Sequence, residues 1–158
     1  MSSKTTGPDQ VDVRGPRFSA WLSTVAILAT LAAATFSPVA AAVILGLQAA
    51  VFAIGAYGGP RKHPYGRIFA TFVAPRLGPV TEKEPVSPLK FAQFIGFVFA
   101  LAGTIGFALG LTALGLTATA FALVAAFLNA AFGICLGCQL YPLVARLRRA
   151  PAPLHNPA

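Results

Sequence analysis

The stretch FAQFIGFVFALAGTIGFALGL, residues 91–111, contains no charged side chain. An α-helix rises about 1.5 Å per residue, so a helix of this length crosses the roughly 30 Å hydrocarbon core of a bilayer. A helix on the surface of a soluble domain would instead present one polar face to water. The stretch therefore predicts a transmembrane helix.

Three further uncharged runs surround this stretch, and the whole chain shares its composition. Charged residues make up only 10% of the sequence and hydrophobic residues 56%, whereas a soluble domain carries about 25% charged residues. The sequence predicts an all-α, integral membrane four-helix bundle in the cell (plasma) membrane, a multi-pass protein with the lipid bilayer as its first partner. The predicted segments are a flexible tail at 1–17, a membrane domain at 18–142 with spans at about 18–36, 39–57, 91–111 and 113–136, and a basic, Pro-rich tail at 143–158.

The basic residues predict the orientation of these spans. All twelve lysines and arginines lie in the N-terminal tail, in the connection 58–90 or in the C-terminal tail. Four spans place these three segments on one side, and the positive-inside rule makes that side the cytoplasm. Both termini are therefore expected to be cytoplasmic. The net charge of +8 is explained by topology, so nucleic acid is not an expected partner.

The middle of the connection has a helical pattern of apolar residues, which are Tyr65, Ile68, Phe69 and Phe72. This pattern predicts a short amphipathic helix that lies in the membrane interface and is stopped by Pro75. The four side chains are expected to anchor it in the interface. His63, which precedes them, is expected to be a solvated loop histidine.

The two cysteines of the chain, Cys135 and Cys138, are spaced Cys-x-x-Cys at the predicted cytoplasmic end of the fourth span. Residues at i and i+3 share one side of a helix, with Cα atoms about 5–6 Å apart, which is within disulfide range. Gln139 and Tyr141 are the neighbours expected to shape this site. Pro142 is expected to bend or stop the helix, and a helix C-terminus disfavours thiolate, so the pattern does not predict a thioredoxin-like site.

Four interpretations of the pair remain open. They are a thiol-redox or sulfur-relay site, inert packing of a helix end, a metal or iron–sulfur site, and lipidation near the interface. One chain lacks four ligands, so a metal site would need Cys135 and Cys138 from both chains of a dimer. No other metal or cofactor is expected.

Other functional classes have less support. The sequence contains no nucleophile–base pair and no phosphate-binding loop, so nothing in it indicates an enzyme that acts alone. No span contains an acidic residue, which disfavours a proton-coupled transporter. Two rows of small residues suggest close helix packing, either in a homo-oligomer or in a larger membrane complex. The first row is Ala102, Gly106 and Gly110, and the second is Gly133 and Gly137. A structural or assembly subunit therefore remains an alternative function, and a small-solute transporter remains one with less support.

Four pieces of the sequence together resemble a known family. They are VDVRGPRF at 11–18, PRLGP at 75–79, KFAQ at 90–93 and FGICLGCQLY at 132–141. They resemble a bacterial four-span membrane family catalogued as domain of unknown function 4395. The resemblance implies a four-span membrane protein, common in actinobacteria, without an established activity. It also implies an association with thioredoxin-like or rhodanese-like cytoplasmic proteins, with Cys135 and Cys138 as the positions concerned.

Overall fold

The computed structural model describes residues 9–148, which are mostly helical. The predicted all-α fold is confirmed, and four helices are long and apolar enough to cross a membrane. These four helices indicate a multi-pass membrane protein. The helices are α1 Arg14–Ala34, α2 Pro38–Gly58, α3 Pro64–Ile68, α4 Val86–Ala108, α5 Thr112–Phe132 and α6 Leu136–Arg148, and the strands are β1 Gln10–Asp12 and β2 Lys83–Pro85.

The two short connections between long helices follow from local sequence. The Ser37 side chain accepts a hydrogen bond of 3.2 Å from the backbone N–H of Ala40, and Pro38 occupies the first helical position of α2. Both features are typical of a helix start. Gly110 has a φ of 72° between α4 and α5, a conformation that glycine adopts without steric cost.

The long helices pack through small side chains. α2 packs against α1 and α4, and α5 packs against α4 and α1. A Cβ atom on Gly106 of α4 would lie 2.6 Å from the backbone nitrogen of Gly115 in α5, so these two helices meet backbone to backbone. The row predicted at Ala102, Gly106 and Gly110 is therefore used inside the chain at Gly106, while Gly110 lies beyond the end of α4.

The N-terminal segment and the long connection meet at one end of the bundle. Strand β1 pairs antiparallel with β2, with Val11 opposite Glu84. Arg14 holds Asp12 through an ion pair of 2.8 Å, and this interaction lowers the pKa of Asp12. Residues 10–17, assigned to a tail by sequence, thus form β1 and the start of α1. Similarly, α6 continues to Arg148, and residues 1–8 and 149–158 of the predicted tails lie outside the described residues.

The connection contains the short helix α3, a π-helical turn at Phe69–Val73 and a 3-10 turn at Ala74–Arg76. Its four predicted anchor residues point in two directions. Tyr65 and Phe69 turn toward the bundle, and the Phe69 ring lies 5.8 Å from the Phe18 ring. Ile68 and Phe72 are exposed on the outside. Of the four residues, only this second pair is exposed.

Candidate functional site

The break before the cysteines is made by Gly133. This residue has a φ of 69°, and its N–H bonds to the carbonyl of Asn129 at 3.1 Å. The N–H of Ile134 bonds to the carbonyl of Leu128 at 3.2 Å. The first bond, together with the positive φ of Gly133, is the αL cap that ends many helices. The prediction of one helix running to residue 136, with Gly133 in a packing row, is therefore wrong.

Cys135 and Cys138 lie at the N-terminus of the next helix, α6, and form a disulfide with Cα atoms 5.2 Å apart. The backbone N–H of Cys138 donates to Sγ of Cys135 at 3.2 Å, and the N–H of Gln139 donates to the Cys135 carbonyl at 3.1 Å. Cys135 thus takes the position and the hydrogen-bonding role of an N-cap residue.

This placement corrects the expected electrostatics of the pair. The sequence placed the cysteines at a helix C-terminus, where the helix dipole disfavours thiolate. At a helix N-terminus the dipole and the free N–H groups favour a thiolate once the disulfide is reduced. The placement that reactive Cys-x-x-Cys pairs use is therefore present here, and the argument against a thioredoxin-like arrangement no longer holds.

A cavity of about 280 Å³ lies between the long helices and has Cys135 in its wall. Its lining is mostly apolar and comes from α1, α2, α4, α5 and the first turns of α6. Several apolar side chains of the lining are exposed at the surface of the bundle, so the cavity opens sideways toward the region that lipid would occupy. These exposed lining residues include Phe121, Val124, Leu136 and Leu140.

Three polar side chains interrupt this apolar wall: Ser23, Gln93 and Asn129. Oε1 of Gln93 is buried without a hydrogen-bond partner. Ser23 accepts a bond of 3.0 Å from Nε2 of Gln48, which leaves the Ser23 hydroxyl proton free to donate. Buried polar groups normally have partners, so the wall is suited to a molecule with a few polar atoms.

Comparison with known protein families assigns this arrangement to a family. Residues 11–146 match the family described as "Domain of unknown function (DUF4395)". The chain belongs to the DUF4395 family. The match includes β2, most of β1, all four long helices, both cysteines and most of α6. Searches of curated proteins and of solved structures found no match to this chain.

The DUF4395 chain also contains a buried polar network beside the cavity. The Tyr65 hydroxyl donates to Oε1 of Gln48 at 2.8 Å, and Nε2 of Gln48 donates to Ser23. Gln48 is only 2% exposed. Burial also raises the pKa of Tyr65, so this phenol stays protonated and able to donate. The network joins the connection to α2 and α1.

His63 is the functional candidate that sequence reasoning missed. Expected to be solvated, it is 1% exposed, and neither ring nitrogen has a hydrogen-bond partner. Its ring lies against Gly55 of α2, where a Cβ atom would overlap the His63 ring and crowd Gln93. Burial lowers the pKa of His63 to about 4. The neighbouring Gln93 amide acts to raise this pKa, but its effect is smaller than that of burial. The residue in the sequence that could have indicated this burial is Gly55, because a glycine in α2 leaves space for the side chain of another residue to pack against the helix.

The residues expected to support the cysteines hold α6 in place. The Tyr141 ring lies 6.0 Å from the Phe91 ring of α4, and a Cβ atom on Gly137 would overlap Ala92. The Gln139 side chain is exposed, and its backbone contributes the bond to Cys135 described above. Within residues 9–148, no three His, Cys, Asp or Glu side chains come together as metal ligands.

Pro142 lies inside α6, which continues to Arg148. Of the two outcomes expected at this proline, a bend or a stop, the stop is therefore wrong. Proline has no N–H, so the carbonyl of Cys138 lacks its usual partner four residues later. This free carbonyl lies one residue before Gln139, next to the disulfide. α6 packs against α4, and this packing stabilises the helix in place of the missing hydrogen bond.

Proposed function

We propose that this DUF4395 protein is a membrane thiol-redox or sulfur-relay accessory protein. In this proposal Cys135 and Cys138 alternate between a disulfide and a dithiol and exchange with a soluble thioredoxin-like or rhodanese-like protein. The observation that carries the proposal is the position of the disulfide at the N-terminus of α6, with the N–H of Cys138 on Sγ of Cys135. An inert packing pair has no need for this electrostatic arrangement.

The exchange assigns different roles to the two sulfurs. A thiolate of the soluble protein attacks Sγ of Cys135, forms a mixed disulfide with it and releases Cys138 as a thiolate. A second thiol of the soluble protein then attacks the mixed disulfide and leaves as an intramolecular disulfide, so two electrons reach the membrane protein. Cys135 is the exchanging sulfur because the Cys138 N–H and the helix N-terminus stabilise its thiolate.

The proposed side of the membrane is the cytoplasm. Strand β1, the connection and the cysteines all lie at the same end of the bundle, since β1 pairs with β2 and Arg17 lies beside Gly133. The cations of residues 9–148 are in the connection, in the first turns of α1 and α4, or in the last turn of α6, the helix that the cysteines begin. The positive-inside rule places such an end in the cytoplasm, where soluble thiol proteins are reduced.

The test is a redox titration of the full chain in membranes. The protein is equilibrated with graded ratios of reduced and oxidised dithiothreitol, and free thiols are counted by a maleimide that shifts the gel band. We expect the two cysteines to become reactive together in one reversible two-electron transition. The double variant Cys135→Ser, Cys138→Ser is the control without a signal.

Other outcomes of the same titration overturn the proposal. Thiols that stay free at every ratio indicate packing residues, and thiols that are released only by a chelator indicate a metal shared between two chains. The assembly alternative receives no support from the small-residue rows, because Gly106 and Gly137 both pack within the chain. Their contacts leave no small-residue surface at these positions for a second subunit.

A further inference from the structure

We infer that the cavity beside Cys135 binds the ring of a lipid-soluble quinone, which accepts two electrons from the reduced Cys135–Cys138 pair. The inference rests on the proposed thiol-redox function and names its second substrate. It joins three observations: a redox-capable sulfur in the cavity wall, an apolar cavity open at the side of the bundle, and three polar side chains in that wall.

The size and lining of the cavity suit one ring system. Its volume of about 280 Å³ is near the lower limit of small-molecule pockets, which is about 300 Å³. Phe52, Phe99 and Phe121 are part of the wall, and aromatic side chains pack well against a flat conjugated ring. The exposed lining residues Val124 and Leu140 mark the side opening, through which an isoprenoid tail would extend into lipid.

The polar groups distinguish a quinone from an acyl chain. Ser23 has a free hydroxyl proton, and Gln93 and Asn129 bring amide groups to the same wall. A hydrocarbon chain would offer no acceptor to the Ser23 hydroxyl proton or to the amide N–H groups, and an unsatisfied donor costs free energy in a buried site. The two carbonyl oxygens of a quinone accept hydrogen bonds from such donors. Polar side chains placed among apolar ones set orientation in ligand pockets.

The cysteines are arranged for a directed reaction. Cys135 lines the cavity, whereas Cys138 does not. The thiolate of Cys135 adds to a ring carbon, so an S–C bond forms and an electron pair moves to a quinone oxygen. The thiolate of Cys138 then attacks Sγ of Cys135. The S–S bond forms, the S–C bond breaks, and its electron pair stays on the ring.

The step balances in atoms and electrons. The two protons lost by the thiols are equal in number to the two protons taken up by the ring oxygens. The dithiol and the quinone therefore become a disulfide and a hydroquinone. The soluble thiol protein of the proposed function reduces the disulfide again, so electrons pass from soluble thiols to the membrane quinone pool.

The experiment uses the full chain, reduced and freed of reductant, in phosphatidylglycerol–phosphatidylcholine vesicles. A naphthoquinone with one isoprenoid unit is the probe, and diamide, a water-soluble thiol oxidant, is the reference oxidant. Hydroquinone is measured by absorbance and the disulfide by the maleimide gel shift. We expect one hydroquinone for each disulfide that forms.

Two alanine variants of α5 test whether the cavity is the site. Ala125 lines the cavity, whereas Ala120 is exposed on the same helix and does not. Ala125→Leu fills the cavity and should slow oxidation by the quinone about tenfold or more, since overpacking a site of this kind is costly. Ala120→Leu should leave the rate unchanged, and diamide should oxidise all three proteins equally.

The outcomes separate the two proposals. Equal quinone rates in the parent and in Ala125→Leu would show a reaction outside the cavity and would overturn the inference. Failure of diamide to close the disulfide in the parent protein would overturn the thiol-redox function itself. If Ala125→Leu does not fold, Asn129→Leu is used instead. It should raise the quinone concentration that gives half of the maximal rate, and an unchanged concentration overturns the inference.

Discussion

The hydroxyl of Tyr65 donates a hydrogen bond of 2.8 Å to Oε1 of Gln48, which lies 17 residues earlier in the buried face of α2. The other amide atom of Gln48 donates to Ser23 in α1. Through this single amide the connection is tied to two long helices. Ser23 also lines the cavity beside Cys135, so the network is part of the wall of the candidate site.

Tyr65→Phe should destabilise the protein. The change leaves Oε1 of Gln48 buried without a donor, and an unsatisfied buried acceptor costs about 1–3 kcal/mol. Tyr57→Phe is the matched control, because Tyr57 is 89% exposed and an exposed substitution changes stability by about 0.5 kcal/mol or less. The free energy of unfolding in detergent micelles measures both. Equal stability of the two variants would contradict a structural role for the Tyr65–Gln48 bond.

His63 should make the protein less stable in mild acid. Burial lowers its pKa from 6.5 to about 4, so between these values the unfolded chain binds a proton that the folded protein excludes. The free energy of unfolding therefore falls as the pH drops from about 6.5 to about 4, by about 3 kcal/mol at most. Above pH 6.5 this contribution is constant.

The variant His63→Gln isolates this effect. Unfolding of the parent and of the variant is measured across the same pH range, and the difference between them removes the contributions of other groups. These include Asp12, whose pKa is lowered by Arg14, and Glu84, whose pKa is raised by burial. The stability difference should shift in favour of the variant as the pH falls. A difference that is constant with pH would show that His63 does not titrate in this range.

The two cysteines should differ in mixed-disulfide trapping. Cys138→Ser removes the thiol that could attack the mixed disulfide from within the chain and re-form the Cys135–Cys138 bond, so a complex between Cys135 and a soluble thiol protein should accumulate. Cys135→Ser removes the sulfur that exchanges and should trap several-fold less. The probe is thioredoxin with its resolving cysteine replaced and its remaining cysteine activated as a mixed disulfide with thionitrobenzoate, which leaves when a membrane-protein thiolate attacks, and the complex is counted on a non-reducing gel. Stronger trapping by Cys135→Ser would reverse the roles assigned to the sulfurs.

Gly106→Ala should disturb the contact between α4 and α5. The added Cβ would lie 2.6 Å from the backbone nitrogen of Gly115, and overpacking of this kind costs about 1–3 kcal/mol. Gly46→Ala is the control in α2, since its Cβ would meet only the Thr104 side chain at 3.5 Å, an ordinary contact. Thermal unfolding in micelles should show a loss of stability for the first variant alone. A similar effect of both would point to helix propensity instead of close packing.

Much of the fold could be predicted because it depends on the hydropathy, charge and spacing of residues that are close together in the sequence. Hydropathy, length and the absence of charge located four long helices. The Cys-x-x-Cys spacing predicted the disulfide distance of about 5–6 Å, and the structure has 5.2 Å. These properties are set within a few residues of the chain, so they do not require knowledge of its neighbours.

The site required the tertiary structure. Gly133 ends α5, whereas Gly46 lies inside α2 without interrupting it, and both glycines are in apolar runs. At Gly133 the guanidinium of Arg17 lies close by, and Gly137 packs on Ala92 two residues into α6. These contacts join residues that are distant in sequence, and they favour a turn and a new helix over continuation of α5.

The sequence by itself therefore determined the four long apolar helices, the basic segments around them and the spacing of the cysteines. Only the tertiary structure decided that the cysteines lie at a helix N-terminus, that Cys135 borders a cavity and that His63 is buried. The physical reason is that hydropathy and spacing are properties of neighbours along the chain. Helix ends, cavities and burial depend on which distant side chains, such as Arg17 and Gln93, come to lie beside them.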